Sequence, residues 1–238
     1  MKKFVSALII GICVGLLASL VLFLKGLIIF DILAYFFFWI GLSFIISYTF
    51  VDMEGWVKGL LLAELLAIPV FFLSIGSYSG ESLVYVIANI VLINGFLGMV
   101  TGYFIGVAEE GVDSGAIYAP NVLKKIVIAL ISGFVAGLFV LVPVTILKEP
   151  LSFKVFAVAN WIALSIVISF INTRLKKWLS GLILVNLVTI PLVLLFVGHS
   201  PRHVVPTLIF SQILGAALGA FNGKYAKAVV PKSKVENK

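Results

Sequence analysis

Charged residues are scarce in this 238-residue chain. Only 11% of its residues are Asp, Glu, Lys or Arg, 62% are hydrophobic, and the mean hydropathy is +1.24. Soluble domains carry about 25% charged residues, so this composition excludes a soluble globular fold. The polar residues fall in short breaks between apolar runs of roughly 20 residues, the length that a helix needs to cross a bilayer.

Segments of alternating polarity, which are typical of a membrane β-barrel, are also lacking. Backbone N–H and C=O groups in hydrocarbon must pair within their own segment, so these runs predict helices. We therefore expect an all-α polytopic membrane protein, surrounded by lipid, with the first run retained rather than cleaved. The eight predicted transmembrane helices lie near residues 1–24, 32–50, 56–75, 83–107, 126–147, 153–173, 178–197 and 205–223.

Cysteines and catalytic motifs are nearly absent. Cys13 is the only cysteine, so no disulfide can form within the chain. There is no G-x-S-x-G elbow, no H-E-x-x-H pair and no glycine-rich phosphate loop. His199 and His203 are four residues apart, but Pro201 between them favours a loop over a metal-binding helix. We expect no enzymatic activity, no cofactor and no metal.

The net charge of +7 indicates membrane orientation rather than nucleic-acid binding. Of the 17 Lys and Arg residues, 13 fall in breaks on one side of the predicted helices. The other side holds Lys25, Lys148, Lys154 and Arg202. Because cytoplasmic loops carry an excess of Lys and Arg, both termini are expected in the cytoplasm, with the protein in the cell membrane.

One stretch of the sequence occurs twice. Residues 56–69 read WVKGLLLAELLAIP and residues 178–191 read WLSGLILVNLVTIP, a shift of 122 positions. At this shift about 24 of the 75 pairs from Lys2 to Gly76 are identical. An even number of spans per copy makes both copies enter from the same side. The sequence predicts two parallel four-helix repeats, 1–107 and 123–225, with a cytoplasmic linker, 108–122, and a disordered basic tail, 226–238.

Four of the predicted helices carry small residues at every fourth position. Such ridges let helix backbones approach closely and gain van der Waals contact that lipid cannot match. We expect them to join helices within the protein, with a homodimer or another membrane protein as the alternative partner. The glycines of these ridges are Gly11 and Gly15, Gly133 and Gly137, Gly98, Gly102 and Gly106, and, at a shift of 117, Gly215, Gly219 and Gly223.

Glu64 is the one clear acid deep in a predicted span, about 12 Å along its helix from Trp56. A carboxylate in hydrocarbon is costly, so it must face the bundle interior, be paired or be protonated. Asn186 takes its place in the second copy. Together with Asn89 and Ser211, these residues are the candidate transport path.

Two prolines occupy equivalent places in the repeated stretch. Pro69 and Pro191 each remove a backbone hydrogen bond and can kink their helices. Such kinks are either hinges or fixed bends beside a cavity.

Two functions fit this pattern. One is a small transporter or channel-like permease with a path between the repeats near Glu64. The alternative is a non-catalytic membrane subunit or assembly factor, in which the polar side chains only join helices. A single water-accessible cavity that gathers the four candidate residues would favour the first function. Candidate residues that are scattered and each satisfied locally would favour the alternative.

Overall fold

The chain folds into a bundle of long helices, seen in a computed structural model that describes residues 2–49, 51, 53–77, 81–109, 122–171, 173 and 175–225. Eight helices in this part of the chain are long and apolar enough to cross a membrane, which confirms the predicted multi-pass, all-α class. A 3-10 turn, Pro201–His203, precedes the last of them. The helices are α1 Lys2–Leu24, α2 Ile29–Tyr48, α3 Gly55–Ser77, α4 Glu81–Glu109, α5 Val122–Ile146, α6 Leu151–Phe170, α7 Lys177–His199 and α8 Val204–Tyr225.

The helix ends differ from the predicted ends by a few residues. Helix α2 begins at Ile29, which places Asp31 in its first turn, where a negative charge interacts favourably with the helix dipole. Helices α4 and α5 both run into the predicted linker. The rest of that linker, 110–121, and the tail, 226–238, lie outside the described residues.

Consecutive helices pack in pairs: α1 with α2, α3 with α4, α5 with α6 and α7 with α8. The two halves of the chain meet where α2 packs on α7 and α3 packs on α6. We call the end of the bundle where α1, α3, α5 and α7 begin the basic end, and the opposite end the far end. At the basic end Thr49 and Ile171 form an antiparallel bridge between the halves.

Glycines allow the paired helices to touch backbone to backbone. A Cβ built on Gly102 would lie 2.8 Å from the Cα of Gly59, and one on Gly219 would lie 2.9 Å from the Cα of Gly181. These distances are shorter than real Cβ contacts, so only glycine fits at the α3–α4 and α7–α8 crossings. The other ridge glycines that a Cβ would crowd at 3.0 Å or closer are Gly11, Gly15, Gly98, Gly133, Gly137, Gly215 and Gly223.

The contact between the halves is filled by apolar side chains. One continuous cluster includes Trp39, Leu42 and Ile46 of α2, Leu164 of α6 and Val185 of α7, each at most 1% exposed. Lipid is as apolar as these side chains, so their close packing, rather than the hydrophobic effect, holds the halves together.

Gly102→Ala should lower the free energy of unfolding in detergent by about 1–3 kcal/mol, because the new methyl group overpacks the α3–α4 crossing. Gly106→Ala is the matched control on the same helix. Its Cβ would lie 3.5 Å from Gly55 Cα, an ordinary contact. Thermal or denaturant unfolding of both variants checks this, and equal stability of the two would contradict the packing argument.

Candidate functional site

Two of the four predicted path residues come together between α7 and α8. Gln212 Nε2 donates to Asn186 Oδ1 at 2.6 Å, and Asn186 Nδ2 donates to Gln212 Oε1 at 3.2 Å. The Gln212 amide also lies 3.4 Å from the Ser211 hydroxyl oxygen. Asn186 and Ser211 are thus linked through Gln212, a residue that sequence reasoning did not single out as a path residue.

Glu64 lies apart from them, between α3 and α4. Its Oε1 atom is buried and has no hydrogen-bond partner among the described residues. A Cβ on Gly95 would lie only 2.8 Å from that oxygen, so the missing side chain of Gly95 makes room for the longer acid. At the shift of 117 residues, Gly95 corresponds to Gln212. Glu64 and Asn186 therefore lie at corresponding positions beside Gly95 and Gln212. Of the two, only Asn186 forms a side-chain hydrogen bond with a described residue.

The remaining predicted residues are Asn89, Pro69 and Pro191. Asn89 belongs to α4, and its side chain lies outside the described part. Pro69 and Pro191 are buried inside α3 and α7.

A cavity of about 60 Å³ lies within the second half, enclosed by α5, α6, α7, α8 and the 3-10 turn. One water needs roughly 10–15 Å³, so the cavity has room for roughly four to six waters. It reaches from the far end to mid-helix, since Trp161 lies roughly 15 Å into α6 at 1.5 Å per residue. Its polar lining residues are Asn160, Thr189, His203, Thr207 and Ser211.

Most of the cavity's polar groups have no protein partner. Asn160, Thr189 and Thr207 form no hydrogen bond with any described residue, while the Ser211 hydroxyl donates to Leu208 O at 2.8 Å. Aromatic rings make up much of the remaining wall, namely Phe153, Phe156, Trp161, Phe196 and Phe210. The cavity therefore combines apolar faces with free donors and acceptors.

A difference between the two halves explains why the cavity exists. In the first half, Tyr35 Oη donates to Asn94 Oδ1 at 2.5 Å, linking α2 to α4. The residues that correspond to this pair in the second half are Ala157 and Ser211, and both line the cavity. Replacing a tyrosine by an alanine removes a phenol ring, so the space that Tyr35 fills in one half stays open in the other.

Charged residues lie next to His203 at the far end of the cavity. Glu149, in the α5–α6 loop, accepts a hydrogen bond from Arg202. His203 Nε2 lies 3.2 Å from Glu149 Oε1, but the angle is not that of a hydrogen bond. The His203 ring stacks on Phe153 with centroids 4.6 Å apart. The second histidine, His199, instead contacts Asp31 of α2 at 2.8 Å, so the two histidines do not share a ligand.

A separate polar cluster joins α5, α6 and α8 nearer the basic end. Ser132 donates to Asn222 Oδ1 at 2.9 Å and lies 2.8 Å from the Ser165 hydroxyl, to which the Asn222 amide donates at 3.0 Å. All three residues are buried and every member has a partner. This arrangement is that of structural glue between helices.

Sequence reasoning missed the cavity because its walls are mostly apolar and because Thr189 and Thr207 look like ordinary helix residues. A signal that could have found it is the change from Tyr35 to Ala157 at positions 122 residues apart. Comparison of the chain with protein-family models, with curated proteins and with solved structures finds no match. The function must therefore be argued from these residues alone.

Glu64 should react with the lipid-soluble reagent dicyclohexylcarbodiimide, because an unpartnered acid in apolar surroundings is expected in its uncharged form. Mass spectrometry of the α3 peptide would detect the adduct. Glu64→Gln removes the reactive group with little change in shape and is the control. An unmodified Glu64 in folded protein would mean that the carboxylate is charged or shielded.

Proposed function

We propose that this protein is a small permease of the cell membrane, without enzymatic activity, that moves a solute through the cavity in its second half. The observation that carries the proposal is the set of unbonded groups on Asn160, Thr189 and Thr207 inside an otherwise apolar bundle. Polar groups in the membrane core are costly unless something satisfies them. A solute or water in the cavity would do so.

The proposed path lies within the second half rather than between the halves. Apolar packing of α2 on α7 and of α3 on α6 favours a sealed contact between the halves. Ser211 lines the cavity wall, and Asn186 is linked to it through Gln212. In this proposal Glu64, which corresponds to Asn186, belongs to the first half and is not part of the path.

We also propose that the halves are parallel repeats with both termini in the cytoplasm. The helix contacts support this, since each pairing in the first half recurs with every helix number raised by four. The Thr49–Ile171 bridge joins residues 122 positions apart, as a twofold axis at that point requires. Gly26 and Lys148, also 122 apart, both have positive φ, 71° and 55°.

The alternative function is a non-catalytic membrane subunit. It is favoured by polar groups near the surface of the bundle, where a partner helix would bind. Gln212 is exposed, and Glu64 is only partly buried with one unpartnered oxygen. In this alternative the cavity is a packing defect that stays dry.

Thiol labelling separates the two functions. In a Cys13→Ala background, Thr189→Cys should react with a small methanethiosulfonate reagent, because a thiol must contact water to ionise and react. Val185→Cys, one turn away on α7, is the matched control, since Thr189 and Val185 are both buried but only Thr189 lines the cavity. Protection of both thiols would indicate a dry bundle and favour the subunit.

Introducing the Tyr35–Asn94 pair at the corresponding positions of the second half should close the cavity. We expect Ala157→Tyr with Ser211→Asn to fold normally, because Tyr35 and Asn94 already form this pair in a matching framework. In the Thr189→Cys background the double change should abolish thiol labelling. Continued labelling of the folded variant would mean that the reagent reaches position 189 by another route.

A further inference from the structure

We propose that the cavity selects a small uncharged solute that carries both hydrogen-bond donors and acceptors, such as a short amide or polyol. This inference rests on the proposed permease function and names its substrate class. It follows from the charge, the hydrogen-bonding groups and the size of the cavity.

The charge of the lining excludes ions. No Asp, Glu, Lys or Arg is among the described residues that line the cavity. His203 lines it, but its ring is held between Phe153 and Phe196, and its Nε2 atom faces Glu149. Glu149 is in turn paired with Arg202. An ion in the cavity would lose its hydration without gaining an opposite charge, which is very costly in apolar surroundings.

The hydrogen-bonding groups require a ligand of mixed character. The Asn160 amide offers two donor hydrogens and an acceptor oxygen, and the Thr189 and Thr207 hydroxyls can each donate and accept. Ser211 donates its hydrogen to Leu208 O and accepts from the Gln212 amide, so one of its two acceptor positions remains. A purely apolar solute would leave these groups unsatisfied, whereas an amide or a polyol can pair with several at once.

The size and the walls of the cavity set the scale of the solute. About 60 Å³ corresponds to roughly four to six waters, so the solute has about as many non-hydrogen atoms. The five aromatic rings present flat apolar surfaces to its carbon atoms or to the face of a planar amide. Acetamide, urea and glycerol are the probes that match this description.

The test is solute flux into proteoliposomes that contain the purified full-length protein, followed by stopped-flow light scattering. Acetamide, urea or glycerol should enter faster than into liposomes with the Ala157→Tyr/Ser211→Asn variant. Thr189→Val keeps the shape of the side chain but removes its hydroxyl, so it should slow entry by about three- to tenfold, the effect of one lost hydrogen bond. Acetate and methylammonium should enter no faster than in the closed variant.

The outcomes distinguish the substrate class from the permease function. Faster entry of acetate or methylammonium than into liposomes with the Ala157→Tyr/Ser211→Asn variant would overturn the neutral class while leaving the permease in place. Labelling of Thr189→Cys without flux of any neutral probe would also overturn the class. Protection of Thr189→Cys together with no flux of any solute would overturn the permease function itself.

Discussion

The backbone contact of glycines at the α3–α4 and α7–α8 crossings is the constraint on which the polar sites depend. Once Gly59 touches Gly102, the next turn of α3 places Ala63 against Gly98 and Glu64 beside Gly95. The equivalent contact of Gly181 with Gly219 sets Val185 against Gly215, and the same register brings Asn186 to Gln212. The surroundings of Glu64 and Asn186 thus follow from these two close helix crossings.

On this common framework the two halves differ in what fills them. In the first half Tyr35 and Asn94 form a pair, while the second half has Ala157 and Ser211 at the corresponding positions, where both line the cavity. Nearer the basic end, the second half has the additional polar pair. Ser132 and Asn222 form a hydrogen bond there, whereas Ile10 and Ile105 occupy the corresponding positions of the first half. Substitutions at corresponding positions therefore give the two halves different interiors.

The sequence was sufficient for the helices, because a run of about 20 apolar residues has few alternatives in lipid. The glycine spacing also indicated which helix faces approach closely, although not which helices would pair. The transport path was harder to predict. Glu64 and Asn186 occupy equivalent positions in the two copies, which is why the sequence predicts one shared path for both. In the proposed twofold arrangement, equivalent residues would meet only beside the axis, where the Thr49–Ile171 bridge would lie. The depth of a residue along its helix can be predicted from the sequence, whereas its distance from the twofold axis depends on how the helices pack.

Two groups of polar residues in the second half show how structural and functional polarity differ. Ser132, Ser165 and Asn222 satisfy one another, so their burial needs no further molecule. Asn160, Thr189 and Thr207 form no hydrogen bond with a described residue, and a polar group left buried without a partner costs about 1–3 kcal/mol. In the proposed permease, the same helices therefore contain one set that completes the fold and another that the solute would satisfy. With the charges of Glu149 and Arg202 paired at the far end, that solute would meet dipoles and aromatic rings rather than ions.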